Sequence, residues 1–483
     1  MISELKPYLA QKDSCVPWLG KVPEHWSLLP NRALFAEVRE RDHPDEQMLS
    51  VTITQGVIKQ RALLENSSKK DSSKLDKSAY KLVCPGDLAY NKMRAWQGAI
   101  GVSDFRGIVS PAYVIVRLRA ENNPRYFHHL FRTPGFATEA ERLSYGITSD
   151  MWSLRPEHFK MIYCCLPTLA EQVAIVRFTD HLSRMVQRYI RAKQKLIKVL
   201  EEQKQAIIHL AVTRGLDPTA RLKPSGVGWL GDVPEHWGVI KIRNLARPGY
   251  KTFVDGDWIE SPYITSDGIR LIQTGNIGIG EYREKGFRYI SENTFRAFRC
   301  TEFYAGDVLI CRLGDPVGRA CLAPNLNIRM ITSVDVCILK PRGDADPAYI
   351  VHVMSSPLYL DWVGSLVRGS TRDRVSRSML GRFVLPLPPV QEQASIVQFL
   401  EEATADISTV VKQTLHEIAL LREYRTRLIA DVVTGKLDVR EAAAGLPDEP
   451  EEPEPLEDTE NMADARENDE DAAVNATPEE IEE

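Results

Sequence analysis

The sequence lacks long apolar runs. No uninterrupted stretch of about 18 apolar residues occurs, so no membrane span is expected. The opening segment MISELKPYLAQKD has no apolar h-region, which argues against a signal peptide. Paired cysteines are missing too. The eight cysteines are scattered, only Cys164 and Cys165 are close neighbours, and no C-x-x-C pair exists. Zinc and redox motifs are therefore unsupported, and a reduced, cytoplasmic protein with buried thiols is expected. Catalytic signatures are equally scarce. There is no G-x-x-x-x-G-K-[ST] phosphate loop, no G-x-G-x-x-G after a strand, and no H-E-x-x-H or G-x-S-x-G. Glu281, Glu284 and Lys285 lack the preceding aspartate of a nuclease arrangement. Asn122-Asn123-Pro124-Arg125-Tyr126 approaches an amino-methyltransferase N-P-P-Y, but Arg125 breaks it, and a helix start is the simpler reading. A chain of 483 residues without a catalytic constellation reads as a binding protein.

What is present is a duplication. Trp18–Trp26 reads WLGKVPEHW and Trp229–Trp237 reads WLGDVPEHW, differing only at Lys21 and Asp232. Two tryptophans and a proline suit a packing motif that anchors the start of each half. His25 and His236 have no nucleophile or metal partner at a meaningful spacing. Hydrophobic content of 43% and charged content of 26% are those of a soluble globular protein of two or three domains.

A second repeat lies in the helices. Leu166-Pro167 opens a segment, Glu171–Arg214, that contains no proline or glycine and stops at Gly215. A helix of roughly 44 residues spans about 66 Å. Val186, Ile190, Ile197, Leu200, Ile207 and Ala211, with Lys193 and Lys204 completing the 4-3 spacing, form a heptad seam that needs a partner helix. Leu387-Pro388 opens its counterpart. Ile407, Val411, Ile418, Leu421, Leu428 and Val432 repeat that seam 221 residues later, with Thr414 and Arg425 in place of the lysines. Two such helices in one chain most simply pack on each other; the bland alternative is that each packs on its own domain.

The offset is 211 at the tryptophan motif, about 220 at Gly86-Asp87 against Gly306-Asp307, and 221 in the helices. Extra residues of the second half therefore lie between Trp237 and Gly306. Val83–Tyr90 reads as a turn feeding a strand, Tyr113–Leu118 as a strand, and Pro124–Phe136 as a short helix matched by Asp346–Trp362. The fold class expected is mixed α/β. Two globular domains are separated by two long antiparallel coiled-coil helices. The boundaries are 1–165, 166–217, 218–386 and 387–441, with a disordered acidic tail over 442–483. That tail holds seventeen acids and one arginine, so the whole-chain charge of −5 leaves +11 on the body. A basic body suits a polyanion. The tail reads as a solvated segment or a mimic of DNA charge.

Two stretches concentrate groups suited to reading DNA. One is Asn91-Lys92-Met93-Arg94-Ala95-Trp96-Gln97-Gly98, with cations for phosphate or guanine, amides for adenine, and a glycine for close approach. The other runs from Arg368 to Arg377 and offers Arg368, Ser370, Thr371, Arg372, Arg374 and Arg377. Thr52, Thr54 and Gln55 in one half, and Arg270, Gln273, Thr274, Asn276 and Arg312 in the other, are further DNA-binding candidates. Lys69 and Lys74 suit backbone tracking. The bland reading of each single residue is a solvated surface side chain.

With these residues in view, the chain resembles a specificity subunit of a type I restriction–modification enzyme. The resemblance rests on the duplicated W-L-G-x-V-P-E-H-W, the L-P-x-x-x-E-Q before each long helix, and Lys92–Gly98 followed by Gly107–Tyr113. It covers residues 15–440; the acidic tail departs from the usual end of such subunits. The resemblance implies two target recognition domains, each reading one part of a bipartite, asymmetric site on double-stranded DNA, with the helices setting the spacer. It implies a non-catalytic prokaryotic subunit that recruits two methyltransferase and two motor-nuclease restriction subunits. S-adenosylmethionine, ATP and magnesium belong to those partners, and no metal to this chain. The alternative from another class is a coiled-coil scaffold that binds proteins without DNA.

Overall fold

The computed structural model describes residues 5–61, 77–146, 152–367 and 373–447. The chain forms two compact units, Met1–Arg191 with Ile418–Glu483, and Ala192–Glu417. Both long helices, Leu169–Arg214 and Val390–Val433, contribute to each unit.

The two units are built on one plan. Each opens with a hairpin, Gln11–Asp13 on Lys21–Pro23 in the first and Leu222–Pro224 on Asp232–Pro234 in the second. Each then has a four-stranded antiparallel sheet. The order in the first is Phe35–Val38, Tyr113–Leu118, Leu88–Asn91, Ile100–Val102. In the second it is Phe253–Asp255, Val336–Leu339, Val308–Cys311, Ala320–Leu322. The order is the same although the sequences have diverged. The added residues of the second half build Ile264–Thr265, Ile269–Ile272 and Tyr289–Ile290, which join Met330–Thr332 in a further sheet.

The expected helix over Pro124–Phe136 is two helices, Pro124–Leu130 and Pro134–Arg142. Pro134 cannot continue the first because it lacks an N–H, and the Thr133 side chain accepts from the Phe136 N–H to start the second. The second unit repeats the break, with Pro347–Met354 and Pro357–Leu366. Asn123 caps the first of these helices, so Asn122–Tyr126 is a helix start.

Both cores combine aromatic and aliphatic side chains. The first unit stacks aromatic rings, with Phe35 on Phe127 at 5.1 Å, Phe131 on Phe136 at 4.7 Å and Tyr90 on Phe159 at 5.0 Å. The second buries mainly aliphatic side chains, among them Val308, Ile310, Val353, Met354 and Val363, around Trp229 and Tyr349. Each such side chain contributes roughly 1.5–3 kcal/mol.

The repeated motifs are where the helices are fastened. The Glu171 carboxylate receives the Trp26 indole N–H at 3.4 Å and the Thr168 hydroxyl at 2.9 Å, with His25 Nε2 at 2.8 Å. Burial opposes ionisation of Glu171, but these hydrogen bonds outweigh it and hold the carboxyl below its ordinary range. In the second unit Glu392 receives Trp237 at 3.0 Å and has His236 Nε2 at 2.8 Å. The adjacent glutamines fasten the short helices. Gln172 accepts from Asn123 N–H at 2.8 Å, and Gln393 from Asp346 N–H at 2.7 Å. The histidines of WLGxVPEHW are thus frame residues.

The same motif receives the end of the other helix. Gly435 (φ 77°) follows the second long helix, and a Cβ there would lie 2.3 Å from Pro23 and 2.8 Å from Trp26. Gly215 (φ 75°) follows the first, and a Cβ there would lie 3.1 Å from both Trp237 and Glu392. Tyr126 Oη donates to the carbonyl of Val433, and Tyr349 Oη to that of Val212. Carbonyls in a last helical turn have no partner within the helix. The N-terminal arm closes against the same region, with Asp438 N–H donating to Lys6 O at 2.8 Å.

The long helices run antiparallel within the second unit, where Lys193 ion-pairs with Glu417 and Lys204 donates to Ser408 at 3.0 Å. Each polar seam lysine thus has a partner across the pair. The apolar seam positions are all buried or half-buried, whereas Leu196, Val199, Leu210, Leu415 and Leu420 beside them are exposed.

One boundary moves. Residues from Ala442 were expected to be disordered, yet Arg440–Ala444 is helical, Ala443 is buried, and Leu446 O accepts from Arg177 at 2.7 Å. The apolar Val439, Ala443 and Leu446 extend the frame before the acids begin; 448–483 lie outside the described residues. All eight cysteines are free; six are buried, while Cys15 is exposed and Cys84 half-buried. Among the described residues, no helix is long and apolar enough to cross a membrane, and no group of three or more His, Cys, Asp or Glu could hold a metal.

Candidate nucleic-acid interface

In the first unit two predicted stretches come together. Thr52 closes the turn between Leu49–Thr52 and Gly56–Lys59, its hydroxyl donating to Gly56 O and accepting from Gln55 N–H, both at 3.1 Å. Thr54 is exposed at the tip and Gln55 half-buried. The second stretch follows the strand Leu88–Asn91 as a compact loop. Asn91 accepts from Met93 N–H at 3.0 Å, and a short 3-10 turn, Ala95–Gln97, ends at Gly98 with φ 97°. That geometry turns Arg94 and Gln97 outward. Trp96 is half-buried and committed: its indole donates to Met93 O at 2.9 Å and its ring meets Trp152 edge-on at 5.5 Å. Lys92 is half-buried, and its carbonyl accepts from Leu154 N–H at 2.9 Å.

A mainly basic cluster lies beside this loop, with Glu37 inside it receiving a hydrogen bond from Arg39 at 2.7 Å. Burial lowers the Lys81 pKa, and repulsion from Lys92, Arg41 and Arg39 lowers it further. Cations brought this close suit a polyanion.

The guanidinium of Arg132 joins the two stretches. It donates to Gly98 O at 3.2 Å, Ile100 O at 2.9 Å and Ile53 O at 2.9 Å, and also to Thr54 O. Burial, then repulsion from Arg425, brings its pKa down to about 10, so it remains charged at neutral pH. Beneath it Gly56 and Gly101 meet so closely that a Cβ on Gly101 would lie 2.9 Å from the Gly56 Cα. His128 is enclosed there; its Nδ1 accepts from Val102 N–H at 3.3 Å, and burial, then nearby cations, holds its pKa well below the ordinary value.

The second unit corrects several expectations. Arg270 is 1% exposed and serves the interior. It donates to Lys285 O, Gly286 O and Arg288 O at 3.1–3.2 Å and lies between the rings of Phe287 and Tyr289. Asn276 is also buried, donating to Arg283 O at 2.9 Å and Lys285 O at 2.7 Å. Arg312 is 5% exposed and donates to Val375 O at 3.0 Å and Val334 O at 2.7 Å, with Asp255 2.9 Å from its Nε. None of the three presents a free cation or amide to solvent. A buried guanidinium is tolerated only with such partners.

Gln273 and Thr274 remain half-exposed at a 3-10 turn, Thr274–Asn276. Arg374 and Arg377 are exposed, Arg374 at 2.8 Å from Asp335 and Arg377 at 3.7 Å from Asp255. Val375 N–H donates to Arg312 O, which lays this segment along the loop after Val308–Cys311. Leu154 and Lys92 make the same contact in the first unit. Lys69, Lys74, Arg368, Ser370, Thr371 and Arg372 lie outside the described residues.

No family model matches the chain. Curated relatives do. Over 327 residues it is 24% identical to the type I restriction enzyme EcoBI specificity subunit of Escherichia coli, covering 65% of this chain and 66% of that protein, just under two thirds. Over 444 residues it is 22% identical to the EcoKI specificity subunit of Escherichia coli strain K12, covering 86% of this chain and 90% of that one. Among solved structures, one described as the structural basis of complex assembly and conformational transition of the type I R-M system contains a chain of the same fold. Its TM-score is 0.59 at 17% identity, over 86% of this chain and 99% of that one. In sequence the chain is similar to type I restriction specificity subunits, and it shares the fold of the solved type I R-M chain.

The residues that organise the two surfaces are not the ones the sequence advertises. Arg132 sits between Leu130 and Thr133 at a helix end, with no pattern around it. Its counterpart in the second unit is Arg319, which donates to Ile277 O at 2.7 Å, Pro316 O at 2.8 Å and Thr274 O at 3.1 Å. Arg39 and Arg41, just after the strand Phe35–Val38, join the basic cluster with Lys81, some forty residues further on. Lys92 and Arg312 fall 220 residues apart, the offset of Gly86-Asp87, yet Arg312 serves the interior.

Proposed function

We propose that this chain is the DNA-reading subunit of a type I restriction–modification complex, each unit reading one half of a bipartite, asymmetric site. The observation that carries the reading is the repetition of one sheet order on one duplicated helix frame, with different loops at the same places. A shared scaffold with unlike loops is what two readers of unlike sequences need. The long helix pair then sets the spacer. The chain has no catalysis of its own in this reading. It recruits two methyltransferase and two restriction subunits, which hold S-adenosylmethionine, ATP and magnesium. The exposed leucines beside the helix seam fit such protein contacts.

Sequencing of DNA methylation in cells expressing the complex tests this. A split adenine-methylated motif that disappears with this gene is expected; a motif that persists without it refutes the reading. The same exposed leucines also favour a scaffold that binds proteins alone. Filter binding at graded salt separates the two, because a DNA reader loses affinity steeply as salt rises.

A further inference from the structure

In each unit a half-buried guanidinium that donates to backbone carbonyls ties together two segments of the candidate surface. We propose that Arg132 and Arg319 are positioning residues for sequence discrimination, one for each half of the DNA site. The inference rests on the DNA-reading function proposed above and names the groups that set its geometry.

Four carbonyls converge on Arg132, two from the turn at Ile53-Thr54 and two from Gly98 and Ile100. Five N–H donors in one plane suit such a set, and no lysine or methionine can satisfy it. Thr54 on one segment and Arg94 and Gln97 on the other are thereby held at a fixed separation. Arg319 performs the same task from another position. It ties Thr274 and Ile277 of the added sheet to Pro316 of the loop after Cys311. One clamp enters from a helix end, the other from within the loop it holds. The sequence is not shared between the halves; the task is.

Direct readout requires side chains placed to within a fraction of an ångström, and a site held loosely loses discrimination before it loses affinity. Phosphate contacts tolerate such looseness, because they are long-ranged and carry no sequence information. Removing a clamp is therefore expected to relax one half of the recognised motif while leaving the other half and the salt dependence as they were.

The test uses the full chain expressed with its methyltransferase subunits, and the probe is the host genome read for methylated adenine. Arg132→Met is expected to raise methylation at sites mismatched in one half of the motif by about tenfold, the value of one lost base contact. Arg319→Met relaxes the other half. Gly101→Ala is the second variant for the first unit. It leaves Arg132 in place but presses on Gly56, and is expected to relax the same half as Arg132→Met. A clamp that matters only for stability lowers methylation at all sites together and leaves the motif unchanged, which overturns the inference. So does relaxation of both halves by a single variant. A wild-type complex with no split motif overturns the proposed function, and this inference with it.

Discussion

The Tyr126 hydroxyl lies 3.0 Å from the carbonyl oxygen of Val433, the last residue of the second long helix. Tyr349 stands in the same relation to Val212, at 3.2 Å. Both tyrosines are fully buried, so neither carbonyl has water as an alternative partner. Tyr126→Phe and Tyr349→Phe are each expected to destabilise the chain by about 1–2 kcal/mol: the first leaves the Val433 carbonyl only the Cys165 thiol at 3.6 Å and removes a 2.9 Å contact with Cys165 O, and the second leaves the Val212 carbonyl unpaired. Hydrogen exchange should quicken at 430–435 in the first variant and at 209–214 in the second. Unchanged exchange at both helix ends defeats the assignment.

Asp180 anchors the first long helix to the helix Pro124–Leu130 through His129 at 2.9 Å and Arg125 at 3.3 Å. Burial raises its pKa, but those two partners win and bring it down to about 2. A carboxyl held below its unfolded value stabilises above that value, and the contribution fades as pH falls from about 4 towards 2. Asp180→Asn is expected to cost about 2 kcal/mol at pH 7 and almost nothing at pH 2. Urea unfolding at the two pH values measures this; an equal loss at both contradicts the ion-pair account.

His128 titrates in a higher window. Its folded pKa lies well below the ordinary 6.5, because burial and then neighbouring cations disfavour the charge. The unfolded chain therefore takes up a proton that the folded chain refuses, and stability falls as pH drops below about 6.5. His128→Asn is expected to flatten the stability profile between pH 6.5 and 5. A profile as steep as that of the wild type assigns the effect elsewhere.

The helix seam makes a prediction about DNA. Removing seven residues from within Glu171–Arg214 keeps the apolar stripe in phase but shortens the helix by about 10 Å. Where the helices set the spacer, the methylated motif should change its spacing or methylation should cease through lost assembly. An unchanged spacer rules this role out.

Much of the frame was legible because it is periodic and local. The seam from Val186 to Ala211 announces a helix, and its repetition from Ile407 to Val432 announces the partner. Gly215 marks the exit. What could not be read is whatever depends on pairing across sequence. The sheet order of the second unit was invisible because its strands share almost no residues with those of the first. Arg270 looked like a surface cation because nothing in Ile269-Arg270-Leu271 shows that three carbonyls lie 15 to 18 residues further on. Arg132 carries no local signal for the mirror reason: its value comes from four oxygens gathered from two other segments.

The contact between Lys6 and Asp438 makes the two otherwise equivalent joints different in kind. Counted by the 211-residue offset of the hairpins, Lys6 corresponds to Asp217; counted by the 221-residue offset of the helices, Asp438 does. One residue in the second unit therefore fills a place that the first unit fills with two, held by a hydrogen bond. A peptide link cannot fray, whereas a single N–H···O contact at the rim of a fold opens many times before anything else unfolds. The arm of the first unit is thus joined to the helix end by non-covalent contacts alone, Arg440 over the Tyr8 ring at 5.2 Å among them, while its twin is tethered by the chain itself.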